Sequence, residues 1–178
     1  MNQEAFLSAL DEARIVAAIQ AAEQRSRGEI RVHVANGPVP DARTAAEADF
    51  VRLGMTATAE RNGVLILIAP ESQSFAVIGD EAIDALCPPG FWGEVADGVA
   101  AEFRAARYTE GLLAAVARVG EVLERHFPRR PGGQDRNELP DTVDSTKVSA
   151  DYKNGVLTVK LPFKAEAKPR TITIDVAA

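Results

Sequence analysis

The chain has 178 residues, of which 46% are hydrophobic and 26% charged, a composition that excludes disordered and fibrous proteins. A formal charge of -6 without any basic run argues against nucleic acid as a partner, and the single cysteine excludes an internal disulfide. No apolar stretch approaches the roughly 20 residues of a membrane-spanning helix, and the first residues lack a signal-peptide pattern, so the sequence predicts a cytoplasmic protein without membrane association.

The first part of the chain predicts a helix, a strand and a second helix. Apolar residues recur with a helical period over residues 8–27, and Gly28 follows, a residue suited to the left-handed position that ends many helices. Residues 29–35 (EIRVHVA) alternate apolar and polar side chains, which predicts a strand with one covered face. Asp41 is a suitable N-cap for an alanine-rich helix that runs to about residue 59.

The next segment predicts the centre of a sheet. Residues 64–69 (VLILIA) form a continuous apolar run, typical of a strand that is covered on both faces. A four-residue connection leads to a strand at residues 74–78, so these two strands should be antiparallel, whereas the intervening helix makes the first pair a parallel crossover. Further helices are predicted up to residue 86, over residues 91–105 and over residues 109–127. The expected fold is α/β, with a small mixed β-sheet flanked by helices.

The pattern of the sequence changes after residue 128. Residues 128–135 (PRRPGGQD) contain prolines and glycines but no other apolar residue, which predicts a linker. Beyond it, three segments alternate in the manner of strands, with Asn154-Gly155 as a hairpin signal, at residues 147–153, 155–161 and 171–176. We therefore predict an α/β domain over residues 1–128, a linker over 129–138 and a short all-β module over 139–178.

Segments within residues 13–128 resemble the TPM domain family. They are RGEIRVHV at 27–34, ERNGVLILIA at 60–69, AVIGDEAI at 76–83 and FRAARYTEGLLAAVARVGEVLERHFP at 103–128. The resemblance rests on their order and spacing together. It implies an α/β sandwich and, as in some members of that family, acid phosphatase activity and binding of divalent cations.

One edge of the predicted sheet collects candidate metal ligands. In the predicted topology Glu29, Asn62 and the pair Asp80 and Glu81 fall at the same edge, and Ca or Mg prefers such carboxylate and amide oxygens. Members of the TPM domain family, which this part of the chain resembles, often have Asp just before the Asn-Gly pair, where this chain has Arg61. The alternative is structural: Asp80 caps the following helix, Glu29 is solvated and Arg61 pairs with an acid.

The opposite edge of the sheet is where ligands usually bind in open α/β folds. It offers Asn36, Gly37, Glu71 and Ser72, without the glycine pattern of a phosphate-binding loop, so nucleotide binding is not predicted. His33 lies inside an alternating strand, which favours a half-exposed strand residue over a general base.

Residues 139–176 resemble the C-terminal half of the α-crystallin domain of small heat-shock proteins, through LPDTVDSTKVSADYKNGVLTVKLPFKAEAKPRTITI. The early strands of that sandwich are absent here. The resemblance implies a homo-oligomer and partly unfolded client proteins as partners, with an Ile-x-Ile element that docks on a neighbouring subunit. The candidate client- or subunit-binding residues are Val156, Leu157, Val159, Leu161, Ile172 and Ile174.

These observations leave two hypotheses from different classes. The first is an ATP-independent, chaperone-like holdase that protects against stress by suppressing aggregation of unfolded proteins. The second is a divalent-cation-dependent acid phosphatase carried by the TPM-like domain, which rests on family analogy alone. A third possibility, an interaction module that binds one partner by β-addition, is not separated from the first by sequence.

Overall fold

A computed structural model of the protein describes residues 1–129, 149–153 and 156–160. The chain divides into two compact units, Met1–Leu139 and Pro140–Ala178. In chain order the first unit contains α1 (Gln3–Ser8), α2 (Glu12–Arg25), β1 (Ile30–Val34), α3 (Ala42–Arg52), a 3-10 turn (Met55–Ala57), β2 (Val64–Ala69), β3 (Ser74–Gly79), α4 (Glu81–Leu86), α5 (Phe91–Arg104) and α6 (Tyr108–His126). The second unit contains β4 (Ser149–Lys153) and β5 (Val156–Lys160).

The three strands of the first unit form one mixed sheet in the order β1-β2-β3. β1 runs parallel to β2 with Ile30 opposite Val64, and β3 runs antiparallel to β2 with Gly79 opposite Val64. The predicted parallel crossover and the antiparallel pair are therefore confirmed, as is the α/β class of this part of the chain.

Helices cover both faces of the sheet, so β2 is buried along its whole length. Its residues Val64, Ile66 and Ile68 belong to a core shared with α1, α2, α4, α5 and α6. Its alternate residues Leu65, Leu67 and Ala69 pack with Phe50 of α3 and with Met55. The period-two alternation of a strand thus divides one apolar run between two helical layers.

The predicted helix over residues 8–27 begins later than expected, at Glu12, and a separate helix, α1, precedes it and ends at Ser8. Asp11 caps the start of α2: its carboxylate accepts the N–H of Arg14, and its own N–H donates to Thr109 Oγ1 at 3.0 Å. α2 ends at Arg25, and the φ of Gly28 is not positive, so the predicted role of Gly28 as a left-handed cap is wrong. Gly28 is needed for another reason, since a Cβ there would collide with the side chain of Leu123.

The predicted helix after Asp41 also ends early. Its N-cap is confirmed, because the Asp41 carboxylate accepts the N–H of Thr44 at 2.7 Å. Gly54 then adopts a left-handed conformation with φ of 72° and separates α3 from the 3-10 turn. A continuous helix to residue 59 is therefore wrong, because the chain must turn there to enter β2.

In the second unit β4 and β5 pair antiparallel, with Lys153 opposite Val156. This register confirms a hairpin at the position that the Asn-Gly signal predicts. The predicted strand at residues 171–176 and nearly all of the predicted linker lie outside the described residues. The all-β module beyond this hairpin and the three-part domain boundaries stay predictions.

Two helical glycines provide a matched test of packing. A Cβ on Gly98 of α5 would meet nothing within 4 Å, whereas on Gly111 of α6 it would lie 2.9 Å from the ring of Phe103. We expect Gly98→Ala to raise the free energy of unfolding by about 0.5–1 kcal/mol, because alanine restricts the unfolded chain and favours the helix. Gly111→Ala should lower it by about 1 kcal/mol, since overpacking outweighs the same gain.

Urea unfolding of the two full-length variants measures both changes. Equal stabilisation by both alanines would show that the Phe103 ring moves away without cost, which would contradict the close packing described here.

Candidate functional site

The edge predicted to hold a metal lies where β2 begins and β3 ends. Backbone hydrogen bonds join the two segments: the N–H of Asp80 donates to the Gly63 carbonyl at 2.9 Å, and the N–H of Ala82 donates to the Arg61 carbonyl at 3.0 Å. The structure thereby brings Asp80 and Glu81 beside Arg61.

Arg61 and Asp80 form a two-pronged ion pair. Arg61 Nε donates to Asp80 Oδ2 at 2.7 Å, and Nη2 donates to Oδ1 at 2.8 Å. The Asp80 side chain is 4% exposed, whereas that of Arg61 is 41% exposed. Hydrogen bonding and the charge of Asp80 raise the pKa of Arg61, so the guanidinium stays charged. Asp80 Oδ1 also accepts the N–H of Glu81 at 2.8 Å and caps α4.

Asn62 lies beside this pair and is completely buried. Its Nδ2 donates to the Arg27 carbonyl at 2.9 Å, which sets the orientation of the amide, because a flipped amide would place two acceptors together. Its Oδ1 is shielded from solvent and has no hydrogen-bond partner among the described residues. Glu29 is half-buried, and its carbonyl accepts the N–H of Val64 at 2.8 Å.

These residues do not fit a divalent cation as they stand. The unpaired Asn62 oxygen is of the kind that Ca or Mg binds, but both oxygens of Asp80 already hold the Arg61 guanidinium, and Glu81 Oε2 lies 3.6 Å from Arg61 Nη1. Within residues 1–129, 149–153 and 156–160, no group of three or more His, Cys, Asp or Glu side chains is arranged to hold a metal. Ligation by Glu29, Asn62, Asp80 and Glu81 stays a prediction, which the exchange of Arg61 below tests.

Of the residues predicted at the opposite edge, Ser72 plays a structural part. Ser72 Oγ accepts the N–H of Val39 at 2.8 Å and donates to its carbonyl at 2.9 Å, which ties two loops together. A cleft of about 570 Å³ opens at this edge, with walls from α1, the β2–β3 turn, α5 and α6. Sequence reasoning missed it, because no local pattern shows that aromatic residues from such distant segments meet.

His33 is a half-exposed strand residue, as predicted. Its Nε2 lies 3.4 Å from Asp49 Oδ2 and 3.3 Å from Arg52 Nη2, and its side chain is 30% exposed. Burial lowers the pKa of His33, and this effect outweighs the charge of Asp49, which raises it. Burial also raises the pKa of the Cys87 thiol to about 11, so this cysteine is not a thiolate at neutral pH.

The lowered pKa of His33 predicts a pH dependence of stability. The unfolded chain binds the extra proton more readily, so the free energy of unfolding should fall as the pH drops below about 6.5 towards the folded-state pKa of His33. His33→Gln removes this contribution. We expect urea unfolding at several pH values to show a shallower decline for the variant, and parallel curves would contradict the assignment.

A charge exchange at Arg61 tests the metal site. Arg61 has a φ of 49°, a conformation that Asp and Asn adopt more readily than Arg. Arg61→Asp frees Asp80 and adds a carboxylate, so saturating Ca should stabilise the variant, by about 2.7 kcal/mol at a hundredfold excess over Kd. Arg61→Asn is the matched control that lacks the added charge and should respond less.

For the unmodified protein we expect little or no shift in melting temperature with Ca or Mg. A rise of many degrees that Asp80→Ala abolishes would show that the metal displaces Arg61, and it would restore the phosphatase hypothesis.

Family models match the chain in two successive segments. A model of the TPM domain matches residues 1–122, and a model of the Hsp20/alpha crystallin family matches residues 120–177. Both resemblances seen in the sequence are thereby confirmed. α6 spans the junction between the matches, and its Leu123 is fully buried in the core of the first unit.

A curated relative resembles a short part of the chain. Spore protein SP21 of Stigmatella aurantiaca (strain DW4/3-1) is 50% identical over 36 residues, which are 20% of this chain and 21% of that protein. The chain thus matches only about a fifth of the relative's length.

A solved structure resembles the first unit. The NMR structure of BA42 protein from the psychrophilic bacteria Bizionia argentinensis sp. nov. is 33% identical, with a TM-score of 0.65, and the match covers 72% of this chain and 88% of that one. No helix among the described residues is long and apolar enough to cross a membrane. The mixed sheet between helical layers, the match of residues 1–122 and this similarity show that the chain belongs to the TPM domain family.

Proposed function

We propose that the protein is an ATP-independent, chaperone-like holdase that binds partly unfolded proteins through its C-terminal segment and suppresses their aggregation. The observation that carries this proposal is the match of residues 120–177 to the Hsp20/alpha crystallin model, supported by the short similarity to Spore protein SP21. Client proteins, oligomer formation and a role in stress are parts of the proposal.

The outer edge of β1 in the α/β domain is partly blocked, which is an argument for the C-terminal segment as the surface that binds clients. A client that has lost its fold offers unpaired strands, which bind to exposed strand edges. At β1 the outward-facing backbone is already occupied at both ends: Gln3 Nε2 donates to the Val34 carbonyl at 2.7 Å, and Glu23 Oε1 accepts the N–H of Ile30 at 3.0 Å. Strand addition at β1 would have to break both contacts.

Apart from Met1, the large exposed apolar side chains of the described part of this domain lie on separate helices. Leu7, Val16, Val51 and Leu86 are 43–68% exposed and lie on four different helices. Single exposed apolar residues are ordinary on globular proteins and do not make a client-binding patch.

The described part of the C-terminal unit is a two-stranded hairpin. β5 contains the candidate residues Val156, Leu157 and Val159, paired with β4 in a defined register. Leu161, Ile172 and Ile174 lie outside the described residues. A hairpin of two strands is marginally stable in water by itself, so its edges favour a further strand from a second copy or from a client.

Phosphatase activity has less support. The family resemblance suggests it, but the Arg61 guanidinium occupies Asp80 at the edge where a catalytic cation would be bound.

The proposal predicts that Ile172→Ser with Ile174→Ser weakens protection of a heated client protein. Replacing both isoleucines removes apolar contact area but keeps the length of the segment. A several-fold higher molar ratio of the variant to the client should therefore be needed to suppress light scattering by the aggregating client to the same extent. Oligomers should become smaller in sedimentation, and the melting temperature of the α/β domain should change little. Addition of ATP should have no effect.

A matched control removes exposed apolar residues from the other unit. Val51→Ser with Leu7→Ser changes side chains that are 68% and 48% exposed, and protection should be kept. If this control loses protection while the isoleucine variant retains it, the holding surface lies on the α/β domain and the proposal is wrong.

A further inference from the structure

The cleft at the far edge of the sheet has the position and size of a small-molecule site. It opens where β2 ends, at the carboxyl edge of the parallel pair β1–β2, which is where ligands bind in open α/β sheets. Its volume of about 570 Å³ lies within the range of ligand pockets in proteins. The sequence and the comparisons assign nothing to this place.

Four aromatic rings form one side of the cleft. The ring of Phe103 lies at their centre, with centroid distances of 5.9 Å to Phe6, 5.7 Å to Phe75 and 5.3 Å to Tyr108. These are the tilted and edge-on arrangements that aromatic pairs prefer. Gly111 of α6 allows this packing, since a Cβ there would lie 2.9 Å from the Phe103 ring. The apolar wall is therefore formed before any ligand arrives.

The polar groups of the cleft favour an anion. Among the described residues that line it, Arg104 carries the only charged side chain, and it makes no hydrogen bond or ion pair with that part of the chain. Its neighbour along the chain, Arg107, is instead paired with Glu102. Tyr108, which also lines the cleft, begins α6, and no side chain caps the N–H groups of that first turn, so the helix dipole also favours negative charge.

We propose that this cleft binds a small amphipathic anion, with a flat apolar body against the aromatic wall and a carboxylate head on Arg104. Such a ligand pairs the Arg104 guanidinium and covers the rings that face it. This function belongs to the α/β domain and does not rest on the proposed holdase activity.

Titration calorimetry of the full chain with naphthylacetate and with its uncharged amide, naphthylacetamide, tests the proposal. Both probes share the aromatic body, so the acid should bind roughly tenfold more tightly, the worth of a charge-assisted hydrogen bond. Arg104→Gln should weaken binding of the acid to the level of the amide and leave the amide unchanged. Arg125→Gln is a matched control, an exposed arginine in the last turn of α6 that does not line the cleft, and should change neither.

Ala100→Trp tests the location of the binding site without changing any charge. Ala100 is a half-buried lining residue of α5, and a large side chain there should fill the cleft and abolish binding of both probes, while thermal melting verifies that the variant is folded. Equal affinity for acid and amide, unchanged binding by Arg104→Gln, or undiminished binding by a folded Ala100→Trp would each overturn the proposal.

Discussion

β2 is buried on both faces, and the α/β domain is arranged around this constraint. Each fully buried leucine or isoleucine side chain contributes about 1.5–3 kcal/mol, but a strand with two apolar faces needs a cover on each. α3 and the 3-10 turn cover one face, and the remaining helices of the unit cover the other. The flanking strands complete its hydrogen bonding, since each contributes a ladder to β2.

The charged side chains at the two ends of β2 differ in whether they have an ion-pair partner among the described residues. At its start, Arg61 and Asp80 neutralise each other and leave little field for an external cation. At its end, Arg104 stands without an acid among the described residues, beside an uncapped helix N-terminus and an aromatic wall. One edge of the sheet therefore carries an ion pair, Arg61 with Asp80, and the other carries an arginine without an acidic partner among the described residues. For this reason a ligand is proposed only at the second edge.

The two proposed functions use different parts of the chain and different physical forces. Holding of unfolded proteins needs strand edges and apolar contact area, and it is assigned to the C-terminal segment. Binding of a small anion needs a preformed wall and a fixed charge, and it is assigned to the α/β domain. Each can fail without the other, because the variants that test them lie in separate units.

Local patterns in the sequence were sufficient for the strand of six apolar residues, the Asp41 cap and the Asn-Gly hairpin. Each of these depends on neighbours within a few residues, so a short window contains the whole physical cause. For the candidate metal site, the sequence placed Asp80 at the edge where Arg61 lies and offered a helix cap for Asp80 and an unnamed acid for Arg61, but it could not show that these two residues pair with each other.

Only the tertiary structure decided where α1 ends and α2 begins, why Gly28 is needed and that a cleft exists. Asp11 meets Thr109 and Phe6 meets Phe103 across most of the domain, and Gly28 is constrained by Leu123 rather than by its own backbone angles. Such contacts arise when separate apolar faces pack together, and no periodicity along the chain encodes which distant side chains will then touch.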